Sequence, residues 1–261
     1  TDFFNIAEGR RKKELQHYYI NEAAFYCENA RAINPISWSA HLQQGTEFVK
    51  LFAEANFKIS YKKKNEGFNI RYFVGGFPWE NISNNNVPDP RLRMNYSSGF
   101  GPFVKDYTFD EFLLGRSDFG GFYAQQVVIR DGGFKTLTNI GQTNSWLTSL
   151  NLSSDIPTKL PLKPFIGLGA YGDANSKFNF AFEAGITIFV VRDIVELHLP
   201  LASFIQADFG NGKETYKWNI AMKKDDSDNV NMGKRYRNLL TFTLNLNKLN
   251  PYTRLKKLAT T

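Results

Sequence analysis

Cysteine, histidine and long apolar runs are scarce in this chain of 261 residues. The single Cys27 excludes an internal disulfide framework. The three histidines, His17, His41 and His198, occur without an HExxH motif or paired cysteines, so the usual ligand spacings build no zinc site. The longest apolar run, Ile186 to Val191, is far shorter than the ~18 residues that a membrane-spanning helix needs. We therefore expect no cofactor, no metal and no helical membrane span.

Two motifs that resemble binding sites lack the required context. The stretch from Gly167 to Gly172 spells a dinucleotide-binding fingerprint, but it leads into another strand instead of opening a helix. The acidic stretch from Asp225 to Asn229 lacks the glycine and the distal glutamate of an EF-hand loop. We interpret the glycines as room for bulky neighbours in a sheet, and the acidic stretch as a solvated loop.

The sequence is rich in period-two alternation of apolar and polar residues. From Phe178 to Val190 the even positions are apolar, whereas the odd positions include Asn179, Glu183 and Thr187. Successive side chains of a strand point to opposite faces, so this stretch predicts a strand with one apolar and one polar face. Its length suits a tilted transmembrane strand, which needs roughly 9–11 residues.

Similar segments recur along the chain and predict an all-β fold. We expect a closed antiparallel transmembrane β-barrel of about 12 strands, within a range of 10 to 14. A soluble β-sandwich or a lipocalin-like barrel produces the same alternation and stays open as the alternative. The predicted strands are 18–28, 33–44, 47–62, 66–77, 91–98, 121–130, 133–141, 144–153, 163–172, 177–191, 194–201 and 237–247, with 214–222 as a loop or a further strand.

Three features favour the membrane barrel. Aromatic residues make up 15% of the chain and often stand at predicted strand ends, as in the girdles of outer-membrane barrels. Short turns at 63–67 and 173–176 alternate with long polar excursions at 80–90, 99–119 and 202–236. Charged residues on the polar strand faces suit a wet lumen better than a thin sandwich.

The alternation assigns residues to the two faces of the barrel wall. We expect these side chains to face lipid: Phe178, Phe180, Phe182, Ile186, Ile188, Leu240, Phe242 and Leu244. We expect these to line the lumen: Lys50, Glu54, Lys58, Arg71, Glu183, Glu196 and His198. The segment from Leu240 to Leu246 is the predicted closing strand, paired with the first strand of the barrel.

The long loop at 80–119 is rich in proline, glycine and aromatic residues. Structureless loops of this length are uncommon, so we expect it to plug the pore or to form a docking surface. The aromatic residues assigned to that role are Phe100, Phe103, Tyr107 and Phe109.

The net charge of +7 is concentrated near the two termini. A nucleic-acid interface requires basic residues interleaved with exposed aromatics on one surface, so we expect no nucleic-acid partner. The predicted organisation is a basic lead-in at 1–16, a barrel at 17–250 and a basic tail at 251–261. Both basic ends suit anionic headgroups of the outer membrane, although solubilised ends explain them equally well. The chain begins at Thr1 without Met or signal peptide, and we favour a piece of a longer protein.

A set of short motifs resembles known outer-membrane barrels. The stretches Trp146–Leu152, Leu162–Gly169, Phe182–Ile186 and Val195–Leu201 are similar to the final hairpins of BamA-type barrels. A closer resemblance is to the barrel that follows the peptidase domain in large Bacteroidota proteins of the aminopeptidase-N class. The motifs shared in order are Gly115-Arg116, Gln125-Gln126, Asp131 to Lys135 and Leu249 to Pro251.

The resemblance implies a membrane-embedded C-terminal domain whose catalytic partner lies outside these residues. Neither the zinc-binding helix of such peptidases nor the Arg-Gly-Tyr motif of BamA-type insertases has a counterpart here, so no activity is carried over to any residue. We expect an integral outer-membrane anchor and scaffold without enzyme activity of its own, bound to lipids and to other subunits or an attached N-terminal domain. Two alternatives remain: a solute channel through the polar lumen, and a lipase-type enzyme using Ser39 with His41 or Glu196 with His198.

Overall fold

The fold is known from a computed structural model of the chain. The structure describes residues 2–5, 12–15, 18–29, 31, 33–62, 66–81, 89–97, 107–115, 122–138, 140–156, 161–172, 178–192, 194–208, 213–216 and 240–246. Its strands are β1 (Asp2–Asn5), β2 (Lys12–Leu15), β3 (Ile20–Asn29), β4 (Ile36–Gly45), β5 (Phe48–Ser60), β6 (Gly67–Glu80), β7 (Leu92–Arg93), β8 (Tyr96–Ser97), β9 (Val127–Val128), β10 (Gln142–Thr143), β11 (Trp146–Ser154), β12 (Leu162–Tyr171), β13 (Asn179–Val191), β14 (Val195–Asp208), β15 (Lys213–Tyr216) and β16 (Thr241–Leu244). One 3₁₀ turn, Tyr123–Gln125, is the only helical element in these ranges.

One large antiparallel sheet dominates the molecule, which confirms the all-β prediction. Its strand order is β15-β14-β13-β12-β11-β6-β5-β4-β3, and β16 also pairs with β14 as the tenth strand. Chain neighbours are sheet neighbours throughout, except where β6 pairs with β11. Residues 81–145 connect those two strands in the sequence, and we call this segment the insert. The lead-in adds a separate hairpin of β1 and β2, and residues 251–261 lie outside the described part.

The insert packs against one face of the sheet, and we call this the inner face. The buried core lies there, where Leu92, Met94 and Phe134 of the insert contact sheet residues such as Phe73 and Leu147. Within the insert, β7 pairs with β10 and β8 pairs with β9. The core therefore lies between the sheet and the insert.

Strand β13 shows how the sequence pattern produces this arrangement. Its odd residues from Asn179 to Phe189 are buried on the inner face, whereas its even residues are half-buried or exposed on the other face. A pleated strand with period-two alternation can present its two sets of side chains in no other way. We call the second face, which carries the apolar even residues of this strand, the outer face.

Several predicted strands are corrected by the structure. The segments at 91–98 and 121–130 contribute only two-residue strands outside the large sheet and one isolated bridge from Gln126 to Phe242, and the described residues of 133–141 form no strand. Their apolar residues instead fill the space over the inner face. The strand predicted at 194–201 continues to Asp208, and the segment predicted at 214–222 contributes the short β15.

The two edges of the sheet differ. Strand β3 pairs only with β4, and no other described strand pairs with its second edge. The predicted closing segment forms β16 over Thr241–Leu244, but this strand pairs with β14 and not with β3. Among the described residues no helix is long and apolar enough to span a membrane.

Candidate functional site

The seven residues predicted to line the lumen all belong to the inner-face rows of their strands. The correction concerns their environment: Lys50, Arg71, Glu183 and His198 are at most 7% exposed, because the insert covers them. A charged side chain without water is costly unless it is paired or hydrogen-bonded. Lys50, Arg71 and Glu183 bind residues of the insert, and these contacts define an interface between the sheet and the insert, whereas the hydrogen-bond partners of His198 lie on the sheet.

Lys50 connects the insert to the edge of the sheet. Its Nζ donates to the carbonyl oxygen of Pro90 at 3.2 Å and to the hydroxyl of Tyr107 at 3.3 Å. Tyr107 donates in turn to Gln43 Oε1 at 2.5 Å. Burial raises the pKa of the Tyr107 phenol, so the phenol stays neutral and keeps its proton as a donor. The chain of polar contacts continues from Gln43 to Glu22 on β3 at 3.2 Å.

Arg71 has one partner on the sheet and one in the insert. Its Nη2 is 2.5 Å from Glu54 Oε2, and its Nη1 donates to the carbonyl oxygen of Asp131 at 2.8 Å. Asp131 and Gly133 form a tight turn with positive φ values of 48° and 67°. The guanidinium therefore binds the backbone of this turn directly. Position 133 needs a glycine because its φ is positive and a Cβ there would lie 2.6 Å from Arg71 Nη1.

Glu183 accepts several donors from the segment that follows this turn. Its carboxylate accepts from the backbone N–H of Lys135 at 2.9 Å and of Thr136 at 2.8 Å, and from the Thr136 hydroxyl at 2.9 Å. Hydrogen bonds to an ionised carboxylate are among the strong ones in proteins. The completely buried Glu183 therefore fixes this part of the insert against β13.

His198 lies in a site built from threonines. Its Nδ1 is 2.9 Å from Thr187 Oγ1, and its Nε2 is 3.2 Å from Thr243 Oγ1. His41 contacts Glu22 Oε1 at 2.6 Å and stacks on Phe52. In the described part of the chain neither histidine forms a hydrogen bond to a serine, so neither has the contact to a serine nucleophile that a lipase requires.

Three arginines and one aspartate organise the insert itself. Asp89 forms ion pairs with Arg91 at 2.7 Å and with Arg93. Burial alone raises the pKa of the Asp89 carboxyl, but the hydrogen bonds and charges of Arg91 and Arg93 outweigh burial and hold this pKa well below its usual range. The guanidinium carbon of Arg130 lies 5.2 Å from the ring centre of Tyr96. Charge pairs and cation–π contacts thus stabilise a segment that has little regular secondary structure.

The residues predicted to face lipid lie mainly on the outer face. Phe178, Phe180 and Ile188 are 54%, 37% and 36% exposed, and Phe182, Ile186, Leu240 and Leu244 are half-buried. Phe242 contradicts its prediction, because it is only 4% exposed and its ring stacks on Phe122 of the insert at 4.9 Å. Alternation placed Phe242 on the apolar face. It could not reveal that Phe122 and Gln126 of the insert contact Phe242 at the β16 edge of the sheet.

The aromatic residues assigned to the long loop behave unequally. Tyr107 is buried in the interface, whereas Phe109 is 62% exposed with a positive φ of 56°. Phe100 and Phe103 lie outside the described residues. Sequence analysis missed the larger contribution of the insert, from Leu92, Met94 and the turn at 131–136. The Gly-Gly pair inside that turn was the available signal, since glycine pairs mark backbone turns.

Lys58 and Glu196, the remaining two residues predicted to line a lumen, border cavities of the structure. Lys58 and Glu196 contribute to a cavity of about 300 Å³ between the inner face and the insert. Glu196 also lines a second cavity of about 390 Å³ beside β16. The described residues contain no cluster of three or more His, Cys, Asp or Glu side chains that could hold a metal ion.

Comparison with known proteins leaves this geometry as the main basis for a functional assignment. No protein-family model, no curated protein and no solved structure matches the chain.

Proposed function

We propose that the chain is an integral outer-membrane β-barrel, plugged by its insert, that anchors an attached or partner domain at the membrane. The observation that carries this proposal is the inverted distribution of polarity. Most of the exposed large apolar side chains on the strands of the sheet lie on the outer face, with Tyr26 on β3 as an exception, whereas charged side chains such as Lys50 and Glu183 are buried inside. Water-soluble sheets show the opposite arrangement.

The outer face supports lipid contact rather than a sandwich. Exposed aromatic and aliphatic residues occur on or next to β3, β4, β5, β6, β12 and β13, and the following are at least 36% exposed: Phe25, Trp38, Leu42, Leu51, Ile59, Tyr72, Val74, Ile166, Phe178, Phe180, Ile188 and Val190. In a sandwich a second sheet covers such a face, but no second large sheet exists among the described residues. Contiguous apolar surface of this extent marks an interaction with a membrane or a protein.

Strand direction constrains how the barrel closes. The nine positions from β15 to β3 alternate strictly in direction, so strands at the two ends run the same way. An antiparallel closure therefore requires an odd number of further strands between β3 and the β15/β16 edge. One such strand makes ten positions, which is the lower limit of the strand number that the sequence predicts.

The insert supports an anchoring role more than a conducting one. It fills the inner face with a packed core and with the buried pairs of Arg71, Glu183 and Lys50. Solute conduction requires displacement of this interface. Porin-like conductance in planar bilayers, comparable with that of an open channel, would favour the transport alternative.

The exposed surface of the insert is the proposed docking surface. Phe109, Phe112, Phe122 and Tyr123 are between 51% and 62% exposed there. Aromatic residues are enriched at protein interfaces, and loops commonly carry binding functions on a rigid scaffold. The occupant that we propose is the attached N-terminal domain or a partner subunit. The resemblance to barrels that follow peptidase domains supports the first of these.

The membrane assignment has a direct test. The full chain is refolded into lipid vesicles and separated by flotation, and its migration in a gel is compared before and after boiling. We expect co-flotation with lipid and a faster-migrating unboiled form. A chain that stays soluble and monodisperse without detergent contradicts the proposal.

Docking is tested with serine variants of two apolar residues that are both more than half exposed. Phe112→Ser lies on the insert, and Ile33→Ser lies in the turn between β3 and β4, where Ile33 is 69% exposed. We expect only Phe112→Ser to lower the recovery of the attached or partner domain with the barrel after detergent extraction. Equal recovery from both variants argues against this docking surface.

We also propose that the chain alone has no hydrolase activity. His198 is buried among threonines and His41 is paired with Glu22. Release of fatty acid from a phospholipid that disappears in His41→Ala or His198→Ala, in a variant that still folds, contradicts this proposal.

A further inference from the structure

The cavity between the inner face and the insert has an unusual balance of hydrogen-bonding groups. Its volume is about 300 Å³, and it lies at the end of the sheet where β5 and β11 end and where β6 and β12 begin. Four cationic and two anionic side chains line it. The cations are Lys58, Arg71, Lys135 and Lys163, and the anions are Glu28 and Glu196. The cavity is therefore rich in donors.

Three buried polar atoms of this lining have no hydrogen-bond partner in the protein. They are Asn69 Nδ2, Arg71 Nε and Asn151 Oδ1. The three residues form one patch, because Arg71 lies opposite Asn151 on β11, and Asn69 is two residues from Arg71 on β6. Lys58 lies opposite Asn69 on β5. Buried polar atoms normally have partners, so a group of three such atoms around one cavity indicates a ligand.

Two lysines beside the patch, Lys163 and Lys135, share their anionic neighbours with other groups. Lys163 Nζ is 3.9 Å from Asp155 Oδ1, but Arg192 already lies 3.3 Å from the same oxygen. Lys135 Nζ lies 4.3 Å from the ring centre of Phe165, while the carboxylate of Glu183 is occupied by backbone N–H groups. Desolvation lowers the pKa of Lys135, although Glu183 and Glu196 oppose that shift. An anion in the cavity would stabilise the charged lysine.

We propose that this cavity binds a hydrogen-phosphate group, either as free phosphate or as the headgroup of a phosphomonoester lipid. Ammonium, guanidinium and amide N–H donors are the groups that recognise phosphate oxygens in proteins. The acceptor oxygen of Asn151 and the carboxylates of Glu28 and Glu196 match the hydroxyl hydrogen that such a phosphate keeps near neutral pH. Sulfate has no such hydrogen there and places oxygen against oxygen.

The size of the cavity agrees with this ligand class. A volume of about 300 Å³ accommodates a phosphate with a short ester group and ordered water. The bound group would connect Lys135 of the insert to Lys58 on β5 and Lys163 on β12. It would thereby stabilise the insert on the inner face, whether or not the sheet closes into a barrel.

Titration calorimetry on the full chain in detergent at neutral pH tests the proposal. The probes are inorganic phosphate, sulfate and dihexanoyl phosphatidic acid. We expect saturable phosphate binding that is at least about tenfold tighter than sulfate binding. Tight binding of the short-chain lipid with weak binding of free phosphate assigns the site to a headgroup. The proposal is overturned if neither inorganic phosphate nor the lipid binds saturably. It is also overturned if sulfate binds as tightly as phosphate.

Matched lysine variants locate the binding. Lys135→Gln and Lys58→Gln each remove one cation from the lining, whereas Lys62→Gln removes one from an exposed position outside it. We expect the first two to weaken phosphate binding at least about tenfold and the third to leave it unchanged. Circular dichroism shows which variants fold, and the second lining variant serves if the first does not. Unchanged binding in a folded lining variant overturns the assignment.

Discussion

Strands β13 and β3 belong to the same sheet and share the same backbone geometry, yet their surroundings differ completely. Every odd residue of β13 from Asn179 to Phe189 is buried, with Ala181 and Glu183 against the insert, whereas the central residues of β3 are exposed on both faces. Both strands form a full ladder with their neighbours. The difference teaches that coverage by the insert, and not strand pairing alone, determines where a side chain contributes to stability.

The largest expected effect comes from removing the carboxylate at the centre of β13. Glu183→Ala leaves the N–H groups of Lys135 and Thr136 buried without acceptors. We expect a loss of about 3–5 kcal/mol in the free energy of unfolding, because each buried donor left without an acceptor costs about 1–3 kcal/mol. Chemical denaturation in detergent measures it. Glu28→Ala on the exposed inner face of β3 is the control, and equal losses in the two variants contradict the comparison.

A charge on the outer face of β13 has the next largest effect. Ile186 lies near the middle of this strand, and Ile186→Arg should cost about 2–4 kcal/mol if the face contacts the hydrocarbon of a bilayer. Ile186→Leu keeps the apolar surface and should be nearly neutral. Unfolding in lipid vesicles measures both variants. An Ile186→Arg protein as stable as Ile186→Leu in vesicles argues against lipid contact at this position.

A smaller loss is expected at the turn of the insert that faces Arg71. Gly133 has φ +67°, and a Cβ there would lie 2.6 Å from Arg71 Nη1. Gly133→Ala should cost about 1–3 kcal/mol, because alanine disfavours this conformation and the guanidinium must move away from Glu54. Gly76→Ala in β6 is the matched control, since its Cβ would lie 3.2 Å from the carbonyl oxygen of Ser145 and its φ is not positive. Similar losses in both variants contradict the role assigned to the turn.

The sheet and the insert differ in how far the sequence predicts them. Alternation alone located β4, β5, β6, β11, β12 and β13 within a few residues, because each strand has one uniformly apolar face. The same rule failed at 133–141, where Phe134 packs into a core without joining the sheet. Local patterns report the faces of a segment but not the surface that it meets.

The candidate site shows the same limit. Lys50, Arg71, Glu183 and His198 were predicted to line a lumen, and the structure places all four as buried residues on one face of the sheet. Their partners were not predicted, since Tyr107, Asp131 and Thr136 are 47 to 60 residues away in the chain. Charged residues on a strand face indicate either contact with water or buried polar partners. Only the position of the insert over the sheet distinguishes these two environments.

Acid should weaken the insert before it weakens the sheet. The pKa of Asp89 is depressed in the folded chain, so its ion pairs stabilise the protein above the unfolded pKa of about 3.9. That stability is lost as the pH falls from this value through the lower folded pKa. We expect Asp89→Asn to cost about 1–3 kcal/mol at neutral pH, and less as the pH falls below 4. A pH series of denaturation curves measures this. A constant difference across the series contradicts the role of the ion pairs.

The smallest effect is expected on the edge strand. Tyr26 is 74% exposed on the inner-face row of β3, and its ring makes an edge contact with His41 at 5.2 Å. Surface substitutions without buried partners usually change stability by no more than about 0.5 kcal/mol, so Tyr26→Ser should fall in that range. Phe73→Ala is the buried aromatic control, because Phe73 is 1% exposed in the core and its loss should cost about 3–5 kcal/mol. A Tyr26→Ser loss close to the Phe73 value, measured in membranes, would show that a further strand or a partner covers β3 in the assembled protein.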